Sequence, residues 1–274
     1  MATALLNISH HNSKNMKSVK FLIAITSIIV NTIAAQAQQT KQMQQTPHTQ
    51  QTKQIRQTQQ PKNQLLELKK EKKKINVAFL IYDQVEAMDL NGPVDVFTKA
   101  NAMDPTYYLY TVSASSKKLV PSEGGTIVMQ STYGFENAPQ ADILIVPGAA
   151  PEVIKSTSDS QPELLKWISN QNKNTKLTMS VCTGSLLLSK AGVLDGNKAT
   201  THYLALNLLK QNKKIETLEK VRFVEDGKLI TTAGITSGLD GSLHVVELIN
   251  GKEIADQIGK IMVYNRNGDL SFME

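Results

Sequence analysis

Residues 177–192 read LTMSVCTGSLLLSKAG. Leu177 to Val181 predicts a short strand that runs straight into Cys182, and Thr183 to Ala191 predicts a helix ending near Gly192. A sharp strand-to-helix turn lifts its side chain clear of the sheet, and Gly184 permits the close backbone approach such a turn needs. Unpaired N–H groups at the start of the helix favour an anion, so the thiol is expected to be more acidic than an ordinary cysteine. The competing reading is a free cysteine acting as a small buried apolar residue.

Working outward, two further runs share the all-apolar character of a strand covered on both faces: Ile75 to Tyr82 (INVAFLIY) and Ile143 to Val146 (ILIV). Tyr107 to Ser113 reads as another strand, with Thr126 to Gln130 pairing near it after Gly124-Gly125. Asp226-Gly227 centres a β-hairpin over Val221 to Thr232. Helices are expected from Asn91-Gly92-Pro93, over Pro162 to Asn170, over Gly238 to Ile249 and over Glu253 to Tyr264, and Asp83 to Leu90 is expected as a loop. Buried strands alternating with amphipathic helices specify an α/β fold, a mostly parallel sheet with helices on both faces. Ligands of such sheets bind beyond the carboxyl ends of the strands, where strand order reverses. That rule singles out Asp83–Asp89, Gly148–Ala150, Cys182–Ser185 and His202.

The chain has 274 residues, 30 Lys and Arg, 24 Asp and Glu, and one cysteine. One cysteine excludes an intramolecular disulfide and any multi-cysteine metal site. Residues 1–74 hold 12 of the bases and two of the acids, leaving 18 bases and 22 acids for residues 75–274. The folded part therefore has no electrostatic case for nucleic acid. From Met16, two lysines, an apolar stretch from Phe21 to Val30 and Ala35-Gln36-Ala37 have the anatomy of a secretory signal cut after Ala37. Residues 1–37 are thus expected to direct export, with translation starting at Met16 and a periplasmic destination. The alternative is an uncleaved signal, which would be the chain's only membrane contact. No cysteine follows the apolar run, which excludes a lipoprotein anchor. Residues 38–74, rich in Gln and Thr with QQTKQ at 38–42 and 50–54 and then in Lys, are expected to be a disordered tether. The domain is expected over 75–265, with 266–274 as a tail.

The segments MDLNGPVDVF (88–97), IVPGAAPEV (145–153), SVCTGSLLLSKAGVLDGNKATTHY (180–203) and AGITSGLD (233–240) resemble the ThiJ/PfpI superfamily, relatives of class I glutamine amidotransferases. Cys-Thr-Gly and the later Gly-Ile-Thr-Ser-Gly-Leu-Asp are similar to its isonitrile hydratase group. The resemblance implies a flavodoxin-like three-layer sandwich with a cysteine nucleophile elbow, a homodimer, a small-molecule substrate, no cofactor and no metal. Carried over residue by residue, Cys182 is the nucleophile and Asp89 the acid that approaches it from the loop after the first strand. Thr183 presents its N–H and hydroxyl to the reacting centre, Gly148 and Ala149 supply oxyanion contacts, and His202 lies near the sulfur. Ala149 replaces the family's usual second glycine, and Tyr203 stands where the hydratases tend to have tryptophan.

A carboxyl within reach of a sulfur can deliver and retrieve a proton, which is acid–base work for Asp89. Its competing role is a helix cap. Backbone N–H groups at 148, 149 and 183 would stabilise negative charge opposite the nucleophile, or merely close turns. Thr183 could instead bond the backbone of its helix, and His202 could be a core histidine satisfied by backbone. His244, among Leu243, Val245 and Val246, reads as packing, and Glu86 as a solvated loop acid. The implied activity is a cysteine-dependent hydratase or hydrolase of a small electrophilic carbon. The alternatives are a non-catalytic exported binding module and a glyoxal-detoxifying or thiol stress protein. The related transcription regulators carry a helix-turn-helix module afterwards, and the ten residues past Tyr264 are expected to leave no space for one.

Overall fold

The computed structural model describes residues 63–265 except 68, 72 and 117. Ile75–Leu80 (β1) is buried almost throughout, with Val77 and Phe79 facing one layer and Ala78 and Leu80 the other. Ile143–Val146 (β6) divides in the same way, Ile143 and Ile145 against Leu144 and Val146. Two-sided burial is why these runs carry no polar residue at every second position.

The remaining elements are Ala87–Met103 (α1), Tyr107–Ser113 (β2), Leu119–Pro121 (β3), Val128–Gln130 (β4), Tyr133–Gly134 (β5), Pro151–Ser160 (α2), Pro162–Asn174 (α3), Leu177–Val181 (β7), Gly184–Lys190 (α4), Lys198–Ala199 (β8), Leu206–Leu209 (α5), Glu216–Thr217 (β9), Phe223–Asp226 (β10), Leu229–Thr232 (β11), Ser237–Asn250 (α6) and Lys252–Ile261 (α7). The main sheet has the order β10-β11-β7-β6-β1-β2-β5. Its pairings are parallel except for the β10–β11 hairpin. One face is covered by residues of α1, α6 and α7, such as Phe97, Leu243 and Ile258. The other is covered by Ile154, Leu164, Trp167 and Leu187 from α2, α3 and α4. This is the expected flavodoxin-like sandwich. From β1 the chain moves to β2 on one side and returns through β6 on the other, so strand order reverses between β1 and β6. The segments after β1, β6 and β7 meet at that end.

Four local expectations are corrected. Asn91-Gly92-Pro93 does not begin a helix, because α1 starts at Ala87. The Glu86 carboxylate accepts the Met88 N–H at 3.3 Å and caps it. Gly92 instead serves close packing, since a Cβ there would lie 3.1 Å from Leu239 Cδ2 on α6. The 126–130 run shortens to β4, which pairs antiparallel with β3 outside the main sheet. Helix α2 has no counterpart in the sequence reading, although Pro151 at its first turn is a start signal. The order expected from Ile75 begins earlier: residues 63–67 are helical, Leu65 is fully buried, and Lys69 pairs with Asp104 at 2.6 Å. The tether expected up to residue 74 is therefore too long by this segment. The signal sequence, the rest of the tether and the 266–274 tail lie outside the described residues. Among the described residues no helix is long and apolar enough to cross a membrane.

Deleting most of a fully buried leucine side chain removes its transfer energy and leaves a cavity. Leu65→Ala should therefore lower the unfolding free energy by about 2–4 kcal/mol in chemical denaturation. A loss within about 0.5 kcal/mol, the level of a surface substitution, would return this segment to the tether.

Candidate active site

Cys182 leaves β7 with φ +55°, a left-handed conformation that side chains normally avoid. The bend is held from several sides. The Cys182 N–H donates to Thr232 O at 3.1 Å, and the hydroxyls of Ser185 and Thr201 donate to Cys182 O at 3.2 and 3.1 Å. Gly184 is required here, because a Cβ would stand 2.1 Å from Val146 O. The cysteine is 8% exposed.

Asp89, on the first turn of α1, is completely buried and turned toward this bend. Its Oδ2 accepts the Gly148 N–H at 3.0 Å. Its Oδ1 has no hydrogen-bond partner, and the carboxyl and the Cys182 thiol lie close enough to shift each other's pKa. Thr183 donates its hydroxyl to Ala149 O at 2.6 Å and accepts the Ala149 N–H at 2.9 Å. Its own N–H faces the sulfur and favours the ionised thiol. Gly148 lies in the middle of these groups, and a Cβ there would meet Thr183 Oγ1 at 2.4 Å and Asp89 Oδ2 at 2.8 Å.

Two expectations change. The Gly148 and Ala149 N–H groups, read as oxyanion donors, are engaged with the side chains of Asp89 and Thr183. The thiol, expected to be acidified, is instead held well above its ordinary value by burial and by the charge of Asp89, against the opposing influence of Thr183. The helix that follows, α4, has seven residues and begins beyond Thr183, so its dipole is too small to reverse that balance. Burial also pushes the Asp89 carboxyl up to about 7, aided by Glu86 and Glu123 and opposed by the Gly148 and Cys182 hydrogen bonds. The pair therefore gives up its first proton near neutrality, and the proton that remains resides mainly on the sulfur.

His202 is half-buried beside Tyr203, with ring centroids 4.6 Å apart, and burial alone lowers its pKa. Thr201 ties its segment to the cysteine carbonyl, yet among the described residues no hydrogen bond joins His202 to Cys182. Glu86 caps α1, and its carboxyl lies close enough to Glu123 to raise the pKa of that group, so it is more than a loop acid. His244 is more than packing, because its Nε2 meets Glu225 Oε2 at 2.7 Å. The sequence reading held Ser185 only as part of the elbow and missed Glu123, the bracing hydroxyl of Thr201 and the buried Tyr82 behind the 147–149 turn. A cleft of about 630 Å³ between α2, α4 and α5, floored by Ile154, Leu186 and Leu208, is lined by none of the six residues singled out from sequence. Among the described residues no group of three or more His, Cys, Asp or Glu could hold a metal ion.

The raised Asp89 pKa makes two predictions. An unfolded aspartate titrates near 3.9, so ionisation costs the folded state stability progressively between about pH 4 and 7, and the full cost persists above that. Asp89→Asn should thus be more stable than the parent above pH 7, on the order of 4 kcal/mol, and the difference should vanish toward pH 4 in denaturant titrations. Alkylation of Cys182 by iodoacetamide should rise with pH through an inflection near 7, and Asp89→Asn should lose that inflection. An unchanged profile in the variant would break the link between the two groups.

Residues 75–248 match the DJ-1/PfpI family. Isonitrile hydratase from Pseudomonas putida is 36% identical over 185 residues, spanning 67% of this chain and 76% of that protein. The HTH-type transcriptional regulator GbdR of Pseudomonas aeruginosa is 26% identical over 70% of this chain, but only 51% of the regulator is covered. A solved THiJ/PfpI family protein from Pseudomonas syringae superposes with a TM-score of 0.62 at 30% identity, covering 72% of this chain and 78% of that one. Extent, identity and fold agree: the chain belongs to the DJ-1/PfpI family.

Proposed function

We propose that this protein is a cysteine-dependent hydratase of a small electrophilic carbon, with isonitriles as the substrate class and N-substituted formamides as products. The observation that carries this reading is the buried Asp89–Cys182 pair, set beside backbone N–H groups that are already engaged. Ester or amide hydrolysis builds charge on an oxygen and calls for free donors. Addition to an isonitrile builds it on carbon, where a proton from a neighbouring acid neutralises it. Asp89 is such an acid, and a value near 7 suits it to give and take a proton at neutral pH.

Asp89 takes the thiol proton as sulfur bonds to the terminal carbon, then delivers that proton to the same carbon. The product is a thioimidate, R–N=CH–S–Cys182. Water next adds to the imidate carbon, losing one proton to Asp89, which passes it to nitrogen. Collapse of the adduct breaks the carbon–sulfur bond and moves the hydroxyl proton back to sulfur. The net change is isonitrile plus water to formamide. Thr183, tied to Ala149, holds its N–H on the sulfur throughout.

A second reading, a non-catalytic ligand-binding module, draws support from the match to about half of a transcription regulator and from the raised thiol pKa. Turnover separates the two. Formamide release from an alkyl isonitrile, followed by chromatography, should be abolished in Cys182→Ala and reduced at least ~100-fold in Asp89→Asn. Full turnover in Cys182→Ala would end the hydratase reading. Absence of turnover in the parent protein, with glyoxals consumed or untouched, would favour a thiol stress protein or the binding module respectively.

A further inference from the structure

Tyr82 follows β1, is 2% exposed, and donates its hydroxyl to Pro147 O at 2.9 Å. A phenylalanine would fill the same apolar volume. The hydroxyl must be desolvated to lie there, so the hydrogen bond is what its presence contributes. Pro147 O and the Gly148 N–H belong to a single peptide unit, which resonance keeps planar. That N–H is the one that Asp89 Oδ2 accepts. Tyr82 therefore grips one edge of the plane whose other edge orients the carboxylate.

The next plane is held in the same manner. Gly148 O accepts the Glu86 N–H at 2.9 Å, while the Ala149 N–H donates to Thr183 Oγ1. Glu86 secures the second plane through its backbone, which is independent of side-chain identity. Tyr82 secures the first through its side chain, so this plane can be tested by substitution. Glycine at 148 is conformationally permissive, and without an anchor on Pro147 O the first plane is held on one edge only, by Asp89.

We propose that Tyr82 is a positioning residue of this site: its buried hydroxyl fixes the Pro147–Gly148 peptide and thereby aims the Asp89 carboxyl at Cys182. The kinetic part of the test rests on the hydratase reading above, whereas the thiol chemistry does not. The titratable groups around Asp89 are Glu86 on its own helix, Glu123 from the segment between β3 and β4, Cys182 on the elbow and Tyr82 itself. Tyr82→Phe leaves the other three in place. Because the Gly148 hydrogen bond favours the ionised carboxyl, loosening it should move the alkylation inflection upward.

The experiment compares Tyr82→Phe with the parent by iodoacetamide alkylation across pH 5–10, by isonitrile turnover and by thermal unfolding. Expected are a folded protein, an inflection displaced to higher pH by about half a unit or more, and kcat lowered about tenfold with KM within about twofold. An unmoved inflection in a folded variant would overturn the proposal, because a packing role alone has no reason to shift it. If the parent protein turns over no isonitrile, the hydratase reading fails by itself and the alkylation profile still decides the role of Tyr82.

Discussion

Two consecutive peptide planes after β6 hold the site together. Each is hydrogen-bonded on both edges: Tyr82 and Asp89 on the first, Glu86 and Thr183 on the second. The arrangement tolerates no side chain at 148, since one would collide with the very groups the planes orient. The parallel sheet brings these parts into reach because β1, β6 and β7 lie side by side and end at the same edge. The chain segments that follow them have only a few residues in which to converge.

Within that frame the electrostatics run against a free thiolate. Water is largely excluded from both the carboxyl and the sulfur, and the charge of Asp89 makes ionisation of the thiol harder still, whereas the thiol favours the ionised carboxyl. The carboxyl consequently changes its protonation state near neutral pH while the sulfur keeps its proton. Reactivity then depends on distance and direction more than on a low thiol pKa, which is why the hydrogen bonds of Gly148 and Thr183 matter so much. The hydroxyls of Ser185 and Thr201 stabilise the strained cysteine by accepting no compromise on its carbonyl: both donate to it.

Much of this was legible from the residues. The unbroken apolar runs at 75–82 and 143–146 require cover on two faces, and that requirement leads to the layered α/β architecture. Cys182 on its turn and Asp89 after the first strand also come from pattern and resemblance together, and the structure brings them into contact. Three things were hidden. The start of α1 depended on Glu86 folding back onto the Met88 N–H, a contact that outweighed the Gly-Pro signal further along. Leu65 lay in a polar stretch where one buried leucine changes no running average. The occupation of the Gly148 and Ala149 N–H groups is a matter of partner geometry, which no count of residue types records. The acidity expected of Cys182 failed for a related reason: helix position is visible in a sequence, while the depth of the surrounding protein is not.

The left-handed backbone at Cys182 bears on what selection had to tolerate at this bend. Glycine is the residue such a torsion suits, and any L-amino acid there raises the energy of the native state by roughly 1 kcal/mol. A chain shaped only for durability would drift toward glycine at 182 and become a firmer but chemically silent shell. The sulfur at 182 thus stands at a torsion that costs the native state stability a glycine would retain.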